Sequence, residues 1–369
     1  MSTPPHPGKA AESATLRRIR PAVRIGRFSA VLRIGMLLTA IALIALLLLL
    51  FALDIATGEY QIPLTRVFDV LTGGGSRAQR FIILDNRLPR ALTAVVVGAA
   101  LGLAGAIAQS ILHNPLASPD ILGITSGASA AAVALITLSG ATGVLATVGV
   151  PLMALAGGLL TAVLIYVLAW GRSTTGERGV VGFRLVLIGI GVNAALVSVI
   201  SWLLARATQL DAAHAQLWIT GSLNESDWST LIPAAIGLAL ALAVAAASAR
   251  TLAALRFGSD TTRVLGVRIQ AQQALLLGAA VGAAALATAA VGPIAFVGLA
   301  APQIARRLLR SPGEPLIASA LVGAVLVVGS DLASRTLFPV DLPVGVVTAA
   351  FGGPFLLYLL VRTNRKATL

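Results

Sequence analysis

The sequence predicts an all-α polytopic membrane protein with about ten transmembrane helices in two inverted five-helix repeats. Three observations lead there. Hydrophobic residues make up 57% of the chain and charged residues 11%, against roughly 45–50% apolar in a soluble domain, and the mean hydropathy is +0.92. Apolar runs long enough to cross a hydrocarbon core of about 30 Å as helices, about 20 residues each, recur along the chain. A Gly-rich pattern followed by a chain break occurs twice, five spans apart.

In chain order, residues 1–30 hold Arg17, Arg18, Arg20, Arg24 and Arg27 among several prolines. This stretch is expected to be a disordered, basic cytoplasmic tail. The apolar run after it is too long for a signal-peptide core, and no small-residue cleavage site clearly follows, so it reads as a retained first span. The membrane domain then covers 31–362, with spans near 31–53, 91–112, 121–139, 146–170, 184–205, 230–249, 270–290, 294–309, 316–334 and 343–361, and a short cytoplasmic tail at 363–369. With both termini inside, 20 of the 27 basic residues fall on the cytoplasmic side, as the positive-inside rule requires.

The repeat is visible in short matches. Residues 95–102 read VVVGAALG and 275–282 read LLLGAAVG, and NPLA at 114–117 is echoed by GPIA at 292–295. An odd offset of five spans gives the two copies opposite topologies, as in transporters built from inverted halves. Gly98/Gly102 and Gly278/Gly282 are small-xxx-small pairs, expected to pack helices closely. The prolines of the 114–119 segment break the helix between spans two and three. Non-helical backbone at membrane depth must be buried in protein or line a wet cavity, so this break reads as a gate or as a structural turn. A second break at 291–293 ends span seven.

Several chemistries are excluded. There is no Cys, hence no disulfide, thiolate metal site or redox motif. His6, His113 and His214 lack metal-ligand spacing. No catalytic constellation stands out, and the acids sit mainly at span edges, where they are expected to be solvated. Gly189-x-Gly191 lacks a third glycine at fingerprint spacing, and the only lysines, Lys9 and Lys366, lie in the tails. The chain therefore has no P-loop of its own. The net charge of +13 reflects membrane topology rather than nucleic-acid binding.

The motifs together resemble the permeases of the iron-chelate and vitamin B12 class of ABC importers, the FecCD type, from about residue 30 to 362. They are Arg87-Leu-Pro-Arg90; Gly98-Ala-Ala-Leu-Gly102 with Gln109; Asn114-Pro-Leu-Ala-x-Pro119; Trp218 with Gly221-Ser-Leu; Gly258-x-Asp-x-x-Arg-x-Leu-Gly266; Gly292-Pro-Ile-Ala-Phe-Val-Gly298 with Pro302; Asp331-x-x-x-Arg335; and Leu342-Pro-Val-Gly345 with Gly352 and Pro354. The resemblance implies a subunit that is not itself an enzyme and needs no cofactor. It would pair with a second copy or a homologous permease in the bacterial plasma (inner) membrane, above two ABC ATPase subunits, and receive an iron-siderophore complex from an extracytoplasmic substrate-binding protein.

It also implies site roles. Gly258, Asp260, Arg263, Leu265 and Gly266 would form the ATPase-coupling loop; Asn114, Pro115 and Leu116 the inner gate; and Arg87, Arg90 and Arg335 the docking cations for the binding protein. Many relatives have Pro-His where this chain has Pro302-Gln303, and Gln303 leans the resemblance toward the ferric-catecholate siderophore branch. Vitamin B12, hydroxamate siderophores and haem stay open as substrates. An ion-coupled secondary transporter is the rival reading, disfavoured because no span centre clearly carries an acid.

Overall fold

The computed structural model describes residues 22–25, 28–31, 34–58, 60–120, 123–139, 144–172, 178–180, 182–255, 269–311 and 313–367. Its helices are α1 (Ile34–Ala56), α2 (Leu64–Leu71), α3 (Arg77–Arg80), α4 (Leu88–Leu112), α5 (Ile124–Ser139), α6 (Val150–Ala169), α7 (Gly182–Arg206), α8 (Gln209–Thr220), α9 (Trp228–Ala247), α10 (Ala249–Leu255), α11 (Ile269–Val291), α12 (Val297–Leu308), α13 (Leu316–Thr336) and α14 (Val344–Ala367). A helix lies in every predicted span.

Among the described residues, seven helices are long and apolar enough to cross a membrane, and α5 and the first part of α14 are shorter apolar helices. Span eight holds the shortest helix of the ten predicted spans. Helix α12 has 12 residues and reaches only about 18 Å at 1.5 Å per residue, because the Gly-Pro break continues to Phe296, which adopts a left-handed backbone. Residues 292–296 complete that passage as non-helical chain. The tail expected to be disordered is also partly ordered: the β-favouring stretches Ala22–Ile25 and Phe28–Val31 pair antiparallel.

Local chemistry sets several helix ends. Pro89 and Pro151 stand at the starts of α4 and α6, directly after the π-helical turns Phe81–Arg87 and Leu145–Gly149, where the missing proline N–H interrupts the α-helical ladder. Asp227 and Thr230 form a reciprocal cap on α9, and Ser76 with Gln79 does the same for α3. From Arg77 the chain runs through a wide π-helical turn, Phe81–Arg87, directly into α4.

Helix α4 forms the centre of the bundle and packs against α9, α11, α12 and α13. Its most extensive contact is with α13. A Cβ on Gly98 would sit 2.8 Å from the Ala324 Cα, and one on Gly102 would sit 3.0 Å from the Ser319 carbonyl carbon. The expectation for the second small-residue pair is not met, since nothing lies within 4 Å of a Cβ on Gly278 or Gly282. The five-span repeat shows in the packing: α5 on α6 corresponds to α12 on α13, α6 on α7 to α13 on α14, and α4 on α13 to α11 on α6. Helix α1 lies at the periphery on α13, with Leu37, Leu38, Ile41, Leu48 and Leu49 exposed.

Candidate functional site

The inner break is built from α4 outward. The helix stops at His113, a non-glycine residue in the left-handed region. Asn114 Oδ1 then accepts from the Leu116 N–H at 2.9 Å, and the Asn114 carbonyl from the Ala117 N–H at 3.1 Å. Asn114 is thus occupied in shaping its own turn. Pro115 is exposed, Leu116 half-buried, and Ala117 to Pro119 buried.

The loop is fastened to α12. Gln303 Nε2 donates to Gln109 Oε1 at 2.6 Å and to the Pro115 carbonyl at 3.2 Å, while Gln109 Nε2 donates to the Leu299 carbonyl at 3.2 Å. Gln109 and Gln303 are both buried. At the loop's far end, the Asp120 carboxyl faces the Thr125 hydroxyl and the Phe296 N–H, which bond it.

The outer break gathers motifs from distant parts of the sequence. Gly292 and Gly221 both have positive φ. Gly292 lies against the Trp218 carbonyl, Gly221 against that of Pro293, and Gly345 against those of Thr220 and Pro293. The Ser222 N–H bonds the Val291 carbonyl at 2.8 Å, the Gly345 N–H that of Gly221 at 3.1 Å, and the Phe296 side chain fills the space a Cβ on Gly352 would need. Close backbone approach explains the glycines here: a side chain would strain both the φ angle and the contact.

The three arginines expected as docking cations lie together where the C-terminal ends of α1 and α13 meet the N-terminal end of α4, but they do not stand free. Arg90 grips Asp331 with two bonds, Nε to Oδ2 at 3.0 Å and Nη2 to Oδ1 at 2.8 Å. Arg335 bonds Asp331 at 3.0 Å and also pairs with Asp54. Arg87 spans from α4 to the end of α1, donating to the carbonyls of Ile55 at 2.8 Å, Ala56 at 3.1 Å and Tyr60. The side chains of Arg90 and Arg335 are 18% and 11% exposed, those of Asp54 and Asp331 each 1%. Acids expected to be solvated at span edges are therefore buried. Their role was only half visible in the sequence: Asp331 and Arg335 have i,i+4 spacing, whereas Asp54 meets Arg335 only through the fold.

The coupling residues Gly258, Asp260, Arg263, Leu265 and Gly266 lie outside the described residues. At the C-terminal end of α12, Arg306 pairs with Glu314 at 3.2 Å, and Arg307 lies 5.9 Å and 5.6 Å from the ring centres of Phe355 and Tyr358. No cluster of metal-ligating side chains occurs among the described residues.

The sequence pattern of the FecCD transport family matches residues 46–362, which include both breaks and the charge cluster. The chain belongs to the FecCD transport family. It is 38% identical over 332 residues to the ferric enterobactin transport system permease protein FepG of Escherichia coli (strain K12), covering 90% of this chain and 98% of that one. It is 36% identical over 325 residues to the iron(3+)-hydroxamate import system permease protein FhuG of Bacillus subtilis (strain 168), covering 86% and 95%. Among solved structures, an inward-facing metal-chelate type ABC transporter superposes with a TM-score of 0.75 at 25% identity, covering 87% of this chain and 98% of that chain.

Proposed function

We propose that this chain is the permease subunit of an ATP-driven ABC importer that moves iron-siderophore complexes across the bacterial plasma membrane into the cytoplasm, with a catecholate chelate as substrate. The observation that supports it most is the nearly end-to-end similarity to FepG, whose name specifies ferric enterobactin. FepD, of the same description, is 36% identical over 341 residues. The permease forms no covalent bond. Separate ATPase subunits hydrolyse ATP and engage the loop carrying Gly258, Asp260, Arg263, Leu265 and Gly266, and a second permease subunit completes the pathway.

In this reading the 114–120 loop is the inner gate, with Asn114 holding the turn, Pro115 stiffening it and Leu116 presenting an apolar side chain. An extracytoplasmic binding protein docks on the outer face near Arg87, Arg90 and Arg335. Because Asp54 and Asp331 already neutralise two of these, docking through them exchanges internal carboxylates for the partner's. Arg87 is held by carbonyls alone and offers the net positive charge. Both termini are cytoplasmic.

The test is iron uptake into cells lacking their own chelate importers and supplied with this permease, its ATPase and its binding protein. Ferric enterobactin, a ferric hydroxamate, ferric dicitrate, vitamin B12 and haem are compared. Preferred uptake of the catecholate is expected. Preference for hydroxamate or citrate overturns the catecholate assignment, and preference for vitamin B12 or haem overturns the siderophore assignment.

A further inference from the structure

The 114–120 loop has little to hold it in place by itself. Pro115 and Pro119 donate no hydrogen bonds, and the described bonds within the loop close only one turn around Asn114 and a second at Gly123, whose N–H meets the Asp120 carbonyl at 2.9 Å. Its position is set from α12. The Gln303 amide bonds the Pro115 carbonyl near the start of the loop, and the Asp120 carboxyl takes the Phe296 N–H at its end. Between them the Pro119 ring rests on Gly298, 2.9 Å from where a Cβ would stand. The two polar attachments bracket the first half of α12, one at Phe296 just before the helix and one at Gln303 within it.

Pro302 lacks the N–H that would bond the Gly298 carbonyl within the helix, and that carbonyl faces Gly105 of α4 backbone to backbone. Further along, Gln109 of α4 bonds both Gln303 and the Leu299 carbonyl of α12. Across from the loop, α12 touches α14 through Phe296 at Gly352 and through Arg307 at Phe355 and Tyr358.

We propose that the 114–120 loop and α12 form one gate unit, with Gln303, Gln109 and Asp120 as positioning residues, so that Leu116 moves wherever α12 moves. This rests on the inner-gate reading above and extends it: α12, rather than the loop's own flexibility, sets the gate.

The experiment uses the assembled transporter in lipid with Leu116→Cys as its single thiol, since the chain has no cysteine, and measures labelling by a cytoplasmic maleimide. Gln303→Leu and Asp120→Ala are each expected to raise the labelling rate without nucleotide about tenfold, as loss of a buried hydrogen bond would. Gln303→His, which keeps a donor, is expected to stay near the native rate. A control thiol at Ala324, buried between α4 and α13, is expected to stay unlabelled in all of them, whereas general loosening would expose it. Unchanged Leu116→Cys labelling in both variants overturns the proposal.

Should those variants fail to assemble, spin labels at Leu116 and Leu308 in the native background decide instead. A distance constant across nucleotide states supports one unit, and a change of one helical turn, about 5.4 Å, overturns it. Failure of the gate reading has its own signature, a native-background labelling rate that does not respond to nucleotide.

Discussion

Removing Asp331 should do far more damage than removing a typical charge at a membrane surface. Its carboxylate receives both bonds of the Arg90 guanidinium and a third from Arg335, and its side chain is 1% exposed. In Asp331→Ala, Arg335 keeps Asp54, but both of the bonds Arg90 makes in this cluster are lost, leaving its charge 18% exposed. Solvated pairs contribute about 0–1 kcal/mol, whereas breaking a buried pair by deleting one partner costs about 3–5 kcal/mol. The burial places Asp331→Ala in the second range. The assay is reversible unfolding in mixed micelles by SDS titration, run on Asp331→Ala and on a double-mutant cycle of Arg90→Met and Asp331→Leu. Replacing both partners with apolar residues, Arg90→Met with Asp331→Leu, should recover at least about 2 kcal/mol of the loss, because no charge is then left buried alone. A loss below about 1 kcal/mol for Asp331→Ala would refute the reasoning and mean that water already solvates the cluster.

Two further outcomes are expected. Gly105→Ala places a Cβ 2.6 Å from the Gly298 carbonyl carbon, and with backbone on both sides it should cost about 1–3 kcal/mol, while Gly278→Ala, with nothing within 4 Å, should leave the midpoint unchanged or raised. Arg263→Glu and Gly266→Pro should each separate ATP hydrolysis from uptake while membrane insertion persists; normal chelate-stimulated hydrolysis and uptake in both would move the coupling site elsewhere.

The spans were legible because each is a long apolar run, and the breaks because Pro and Gly act on their own backbone. The shortness of the helix in span eight was not legible, since nothing in 294–309 announces that Phe296 takes a left-handed backbone and delays the helix. Helices α2 and α8 escaped notice as short, partly polar segments whose stability comes from packing rather than from periodicity over a span. The polar pairs that hold the site were hidden for a different reason. Arg90 and Asp331 are 241 residues apart, and Gln109 and Gln303 are 194 apart; such partners are chosen by helix packing, and a single sequence holds no trace of it. Gly98 and Gly102 packed as their spacing suggests, yet the same pattern at Gly278 and Gly282 did not, because small residues permit a close contact without requiring one.

Under the proposed function, this chain conducts an iron chelate only when ATPase subunits work on it. The deciding measurement is uptake of radioactive iron-catecholate chelate into proteoliposomes holding the permease, its ATPase and its binding protein, with ATP on the cytoplasmic face. Uptake is expected to stop when the Walker A lysine of the ATPase subunit is replaced and to continue when proton and sodium gradients are collapsed. Uptake that survives without a working ATPase and follows an ion gradient would contradict that function.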